Sequence, residues 1–564
     1  MSPQRIARKV RKTAQDAPEW IRRFRATLCT TGLLTGTVFF IASLTPSLLP
    51  RGWVMQGLLS GFSFSAGYAI GVTARWIWSY LELPVPTRQA QRIWLWTASG
   101  VCLAVAVAFL WQASAWQSDI RVFMGLEPVD TARPFRVGGI AVLVFVLLLA
   151  IARLFDLTFR LIASRLSRRT PRRVANIGGL VLAVMVFWSV IDGVLFRYAL
   201  RAADASFQQV DARMEPDLAP PSDPIRTGSS ASFVAWEDLG RTGRNFVAGT
   251  ARGQELQSFF GGGEVTEPVR VYVGLNAAET IEERAALALA ELQRVGAFDR
   301  SVLVIVTPTG TGWVDPSAMG PVEYLLRGDV ASVAVQYSYL PSWLSLMVEP
   351  QYGAETADAV FRTIYDHWRT LPAEERPDLY LHGLSLGALN SEQSADLYDV
   401  IGDPYAGALW AGPPFRSSRW RTVTAQREPE SPAWLPRFRD ESVVRFMNQH
   451  GMATEGNTRW GPIRILYLQY ASDPITFFEP ELLYRQPEWL EEPRGPDVTD
   501  RLRWFPVVTM LQLVADLAVA DTAPPGFGHV FAAEDYIDAW VALMEPAGWD
   551  EAEVARLKEV HRAD

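Results

Sequence analysis

The first 200 residues of the chain alternate long apolar runs with short connections that carry arginines. A helix of about 20 mostly apolar residues crosses a bilayer. Five such spans are predicted, at about Ala26–Leu49, Trp53–Leu81, Ile93–Trp116, Val137–Ile162 and Val174–Tyr198. The second is dense in small residues (Gly57, Ser60, Gly61, Ser63, Ser65, Ala66, Gly67, Gly71), which let neighbouring helices approach closely. Trp53, Trp76, Trp78, Trp94, Trp96 and Trp116 cluster near span ends, where amphipathic rings meet the membrane interface.

Beyond residue 200 the pattern changes. Glu215–Ser232 is rich in proline and serine and reads as a linker or extended surface segment, and Phe233–Gly263 matches no single element. From Pro268 onward short β-branched runs alternate with stretches of helical spacing. Strands are predicted at Val269–Leu275, Val302–Val306, Val330–Tyr337, Asp378–His382, Ala406–Ala411 and Ile463–Tyr470. Helices are predicted at Ile281–Val295, Ala354–Thr370, Ala388–Tyr398 and Ala533–Met544. The run VLVIV at Val302–Val306 is apolar on both faces, as a buried parallel strand must be. This alternation predicts a mostly parallel sheet with helices on both faces, and no repeat of fixed period is present. The expected organisation is a basic tail (1–25), an all-α transmembrane bundle of about five helices (26–200), a connecting segment (201–264) and an α/β domain (265–564).

Charge adds an orientation. Arg5, Arg8, Lys9, Arg11, Lys12, Arg22, Arg23 and Arg25 precede the first span, Arg88 and Arg92 follow the second, and Arg165, Arg168, Arg169, Arg172 and Arg173 join the fourth to the fifth. Positive residues stay inside, so the N-terminus is expected in the cytoplasm and, after an odd number of spans, the α/β domain on the extracytoplasmic face of the inner membrane. One re-entrant span would reverse that side. The first span is too long for a cleaved signal peptide and has no small-residue cleavage site before the next apolar run. Topology already accounts for the arginines, so nucleic acid is not an expected partner, and the net charge of −8 says little about partners. The two cysteines, Cys29 and Cys102, lie in apolar runs, which excludes a disulfide framework and a cysteine-based zinc site in the α/β domain. No cofactor or metal is expected.

The chemistry centres on Gly383-Leu384-Ser385-Leu386-Gly387, between a predicted strand and a predicted helix. A sharp strand-to-helix turn lifts a serine hydroxyl clear of the sheet, and flanking glycines allow the backbone to approach closely. In that context Ser385 is the candidate nucleophile. With only five histidines, each can be weighed as its base. His367 falls within a predicted helix and His561 in a charged tail. His382 belongs to the strand before the elbow, as a packing residue. His450 lies in a loop and stays open. His529, in the glycine-rich loop Pro524–Phe531 before the last helix, is favoured. The third member should lie between them in order. Asp473, just past the strand Ile463–Tyr470, is favoured over Asp516 and Asp521, which fall on or beside a helix. For the oxyanion hole, the Leu386 N–H is one expected donor, and Thr309 or Gly310, in the loop after Val302–Val306, the other.

Four segments, SLTPSLLPR at Ser43–Arg51, HGLSLG at His382–Gly387, YASDPI at Tyr470–Ile475 and PGFGHVF at Pro525–Phe531, carry a resemblance across nearly the whole chain. The sequence resembles a bacterial membrane α/β-hydrolase family that couples an N-terminal transmembrane domain to a C-terminal lipase- or esterase-like domain. The resemblance implies that fold and the triad Ser385, Asp473 and His529, but no particular substrate. Acyl transfer through an acyl-enzyme is the expected reaction, with membrane lipids or lipid-like acyl esters as partners. An acyltransferase would use the same residues. Tyr339–Val348 and Trp504–Val514 are apolar stretches that read either as a lid or as ordinary core. A transport or scaffold protein is the alternative from another class. It has little support from intramembrane charge, since Arg75, Asp156 and Asp192 lie towards span ends.

Overall fold

A computed structural model describes residues 27–84, 87–131, 133–196, 206–342, 344–345, 350–452 and 458–562. The basic tail, the end of the fifth predicted span at Tyr198 and part of the stretch Tyr339–Val348 lie outside the described residues. The chain divides into two compact units, one comprising the chain up to Ala183 with Pro480–Arg485 and Arg501–Asp516, the other the remainder.

The first unit is helical, with α1 (Thr30–Ser43), α2 (Trp53–Tyr80), α3 (Arg88–Phe123), α4 (Pro134–Leu166) and the part of α5 (Arg172–Val190) up to Ala183. Three of the described helices, not five, are long and apolar enough to cross a membrane, and they correspond to α3, α4 and α5. The first predicted span fails on length. Its 14 helical residues reach roughly 21 Å at 1.5 Å per residue. The chain leaves the helix before Pro46, where the preceding residue is driven from helical geometry, and the Thr45 hydroxyl donates to the Ala42 carbonyl at 2.7 Å. The second has the length, but its glycines and serines dilute its apolarity.

Those small residues do what their size allows. A Cβ on Gly67 would lie 2.7 Å from the Thr35 carbonyl oxygen, and one on Gly61 would lie 2.6 Å from Val144. Thus α2 is pressed by backbone contact between α1 and α4, and the Ser43 hydroxyl donates to Ser60 at 2.8 Å across the first interface. Large apolar side chains elsewhere face outward, among them Trp111 on α3, Leu143 on α4 and Trp188 on α5. Outward apolar surface on this scale is what a bilayer covers.

The late segment Arg501–Asp516, assigned from sequence to the α/β domain, packs with the helical unit. The Gln512 amide donates to the Thr45 carbonyl at 3.0 Å, and the Asp516 carboxylate accepts from the Ser47 hydroxyl at 2.9 Å. The apolar stretch Trp504–Val514 is therefore held by the connection between α1 and α2, with Val508 and Leu513 buried.

The second unit is built on an eight-stranded sheet in the order β1-β3-β2-β4-β5-β8-β6-β7. Its strands are β1 (Val269–Val273), β2 (Val302–Thr307), β3 (Val330–Val335), β4 (Asp378–Leu384), β5 (Gly407–Ala411), β6 (Val444–Asn448), β7 (Gly451–Met452) and β8 (Arg464–Leu468). All pairings are parallel except the β6–β7 hairpin. Helices α6 (Ile281–Arg294), α7 (Pro316–Leu325), α8 (Pro350–Thr370), α9 (Leu386–Ser394) and α10 (Ala533–Met544) cover it. Strands β1, β2 and β3 are buried at every position, which explains why they are apolar apart from Arg270, Ser332 and Thr307.

Strands β6 and β7 and helix α7 were not expected from sequence. In β6, Arg445 interrupts the apolar pattern, but its guanidinium lies over the Trp460 ring at 3.8 Å and donates to the Thr458 carbonyl at 2.6 Å. The proline-rich segment Glu215–Ser232 is no loose linker. Its Thr227 hydroxyl, fully buried, donates to the β1 residue Arg270 at 3.2 Å, and Glu215 pairs with buried Arg244 at 2.9 Å.

Candidate active site

Strand β4 lies near the middle of the sheet, between β2 and β5, and ends at Leu384, while α9 starts at Leu386. Ser385 alone makes the turn. Its φ of 57° and ψ of −123° are costly for a residue with a Cβ. The strain is held by neighbours that leave no other path. The Ser385 N–H donates to the Ala411 carbonyl of β5 at 3.0 Å, and its carbonyl accepts the Leu389 N–H at 3.1 Å. A Cβ on Gly383 would lie 2.3 Å from the Gly387 carbonyl carbon, and one on Gly387 would lie 2.1 Å from the Thr307 oxygen. Both elbow glycines are required by backbone approach.

Asp473 follows β8 and caps the short helix Pro474–Phe477, its Oδ1 accepting the Ile475 N–H at 2.8 Å. The other oxygen accepts the Thr476 hydroxyl at 3.1 Å and faces His529 Nδ1 at 2.7 Å. Asp473 is thus both a helix cap and a histidine partner, and it is fully buried. The opposite ring nitrogen, His529 Nε2, is buried and makes no hydrogen bond. A Cβ on Gly412 would lie 2.5 Å from His529 Cε1. The imidazole therefore rests against the residue following Ala411, whose carbonyl holds Ser385, and both groups sit at the C-terminal end of β5.

Two loops are aligned to make that contact. The Gly528 N–H donates to the Ser472 hydroxyl at 2.9 Å, and the Ser472 N–H donates to buried Asp497 at 2.7 Å. Phe531 stacks on Tyr470 with centroids 4.5 Å apart. Neighbours of Asp473 and His529 are thereby tied to each other. Burial raises the Asp497 carboxyl above the ordinary carboxylate range. Asp315, capping α7 with a bond from the Ser317 N–H at 2.9 Å, is a further buried acid within electrostatic reach of His529, and burial pushes it up to about 6. Sequence reasoning missed Asp497 and Asp315. Ser472 lies beside Asp473 in the YASDPI segment, but nothing in the local pattern marks the other two.

The expected oxyanion donors divide. Leu386 opens α9, where the first N–H groups have no carbonyl one turn back to bond. Thr309 and Gly310, by contrast, are already engaged. The Thr309 N–H donates to the Trp313 carbonyl at 2.9 Å, and the Gly310 N–H donates to the Ser342 hydroxyl at 3.1 Å. This corrects the expectation of a free donor there. The loop closes on itself, braced by Tyr272 donating to the Gly312 carbonyl at 2.8 Å and Gln336 donating to the Thr311 carbonyl at 3.2 Å.

A family model described as the alpha/beta-hydrolase family matches residues 269–557, just over half of the chain, and one described as that family's N-terminus matches residues 44–250. The chain belongs to the α/β-hydrolase family. No curated protein and no solved structure matches it.

The remaining histidines of this α/β-hydrolase have structural surroundings. His382 is buried, donates from Nδ1 to the Leu409 carbonyl at 2.9 Å and packs edge-on against Tyr536. Burial pushes its pKa down to about 4. His367 packs on Phe298 and His561 on Tyr324. His450 is exposed at the β6–β7 turn, beyond β8 from the strand end that carries Ser385. Of the rival acids, Asp516 holds Ser47 in the helical unit, and Asp521 is exposed within a 3-10 turn.

Proposed function

We propose that the chain is a membrane-anchored serine ester hydrolase. Ser385 attacks the ester carbonyl while His529 Nε2 takes its proton, and Asp473 holds the Nδ1–H and stabilises the imidazolium. Collapse of the tetrahedral adduct breaks the acyl–oxygen bond, and His529 returns the proton to the departing alcohol. Water, deprotonated by the same nitrogen, then releases the acid and restores the serine. The Leu386 N–H serves the oxyanion.

The observation that carries this reading is the division of labour on one ring. Nδ1 faces a buried carboxylate at 2.7 Å, whereas Nε2 has no partner and lies at the strand end that holds Ser385. A carboxylate on one nitrogen and an open second nitrogen are together what a general base for a serine requires.

The three apolar helices support a lipidic ester as substrate, because they would keep the hydrolase where such esters are concentrated. Orientation follows from one connection. Arg165, Arg168, Arg169, Arg172 and Arg173 lie between the last two apolar helices. Keeping that cluster in the cytoplasm places everything after α5 on the extracytoplasmic face of the inner membrane, whichever count holds further upstream.

A fluorophosphonate probe tests the reading on the detergent-solubilised full chain. Labelling that is lost in both Ser385→Ala and His529→Ala, with unchanged melting curves, is the expected result. Folded parent protein that neither labels nor cleaves short-chain esters would refute it.

A further inference from the structure

The helical unit contains a cavity of about 200 Å³ that the esterase reading does not use. Its floor is apolar, formed by Leu44, Ala113 and Val137, all buried, and its mouth is at exposed Gly52, Thr131 and Arg133. Three buried polar side chains, Arg51, Gln56 and Gln117, line it, and Arg51 and Gln117 leave donors without a partner. Arg51 donates from Nη2 to the Thr45 carbonyl at 3.1 Å, and its Nε faces Asp516 at 4.0 Å, beyond hydrogen-bond reach. Its Nη1 has no partner. Gln117 accepts the Arg51 N–H through Oε1 at 2.7 Å, which fixes the amide orientation, and its Nε2 is then left without a partner.

Among the described residues, the lining groups left without a partner are donors, the ionisable lining residues are the two arginines, and no carboxylate lines the cavity. An acceptor-only oxyanion with an apolar body matches both halves of the cavity. The volume exceeds the roughly 150 Å³ of apolar cavities that admit a benzene-sized guest.

We propose that this cavity binds a fatty carboxylate of short to medium chain length. The carboxylate accepts from Arg51 Nη1 and Gln117 Nε2, and the chain lies over Leu44, Ala113 and Val137. The site is independent of Ser385 and would make the helical unit a carboxylate receptor as well as an anchor.

The test measures radiolabelled octanoate bound to the full chain in lipid nanodiscs, with octanol, octyl phosphate and inorganic phosphate as competitors. Arg51 is left intact, because removing it strands Asp516 as a buried charge. Ala113→Phe fills the cavity without touching a polar group, and Gln117→Glu removes one donor while keeping an acceptor for the Arg51 N–H. The expected result is saturable binding of one octanoate per chain, lost in Ala113→Phe and at least about tenfold weaker in Gln117→Glu, both variants keeping the parental melting curve. Octanol should compete at least about tenfold less well than octanoate. Equal competition by octanol, or unchanged binding in Ala113→Phe, would mean partition into lipid and overturn the proposal. Octyl phosphate competing as well as octanoate would overturn the carboxylate assignment, and inorganic phosphate doing so would overturn the need for a chain.

Discussion

His529 Nδ1 lies 2.7 Å from Asp473 Oδ2, and that oxygen also accepts the Thr476 hydroxyl at 3.1 Å. The carboxylate is anchored twice over by its own short helix before it meets the imidazole. An Asp473→Asn substitution keeps an oxygen for the cap but removes the charge that stabilises the imidazolium. It should lower kcat on a short-chain ester by about 10³–10⁴-fold while moving Tm little. Activity close to parental would exclude Asp473 from the proposed chemistry.

The elbow glycines predict a stability effect separable from catalysis. Gly387→Ala drives a methyl to 2.1 Å from the Thr307 oxygen, and relief requires moving β2 or α9. We expect a loss of roughly 3 kcal/mol together with activity. Ser385→Ala should abolish activity with stability unchanged or raised. Chemical denaturation of both variants distinguishes these outcomes.

Asp497 touches neither His529 nor Asp473 but holds Ser472, which in turn holds Gly528. It is a positioning residue. Ser472→Ala, which frees the Gly528 N–H, should reduce kcat about tenfold with KM unchanged, since only the alignment of the two loops is loosened. A change in KM alone would point to a substrate contact instead.

His382 sets an acid limit on stability. A histidine that ordinarily titrates near 6.5 is pushed down to about 4 by burial, so the unfolded chain binds a proton more readily than the folded one between these values. This contribution is complete above pH 6.5 and is lost as pH falls towards 4, to a total of about 3 kcal/mol. Melting of the parent and of His382→Phe from pH 7 to pH 4 should show a shallower decline in the variant. Parallel declines would remove His382 as the cause.

Much of this architecture is local enough to be legible in sequence. A central parallel strand needs apolar residues on both faces, so VLVIV at Val302–Val306 declares itself. A strand–turn–helix elbow needs glycines two residues either side of its serine, so Gly383 and Gly387 mark Ser385. The small-residue stripe of α2 likewise foretold close helix contact. Charge hid β6, because the aromatic face that accommodates Arg445 belongs to Trp460, fifteen positions away in the chain.

What only the tertiary structure decided are matters of partnership across sequence distance. Backbone donors at Thr309 and Gly310 look available until a turn and Ser342 consume them. The hydrogen-bonded chain from Asp497 through Ser472 to Gly528 spans 56 positions between its last two members. The segment ending at Asp516 reads as part of the α/β domain until its carboxylate is found on Ser47, 469 residues earlier. Residue type and spacing determine what a segment can form by itself; which buried donor meets which acceptor depends on packing that brings remote segments together, and no local pattern encodes it.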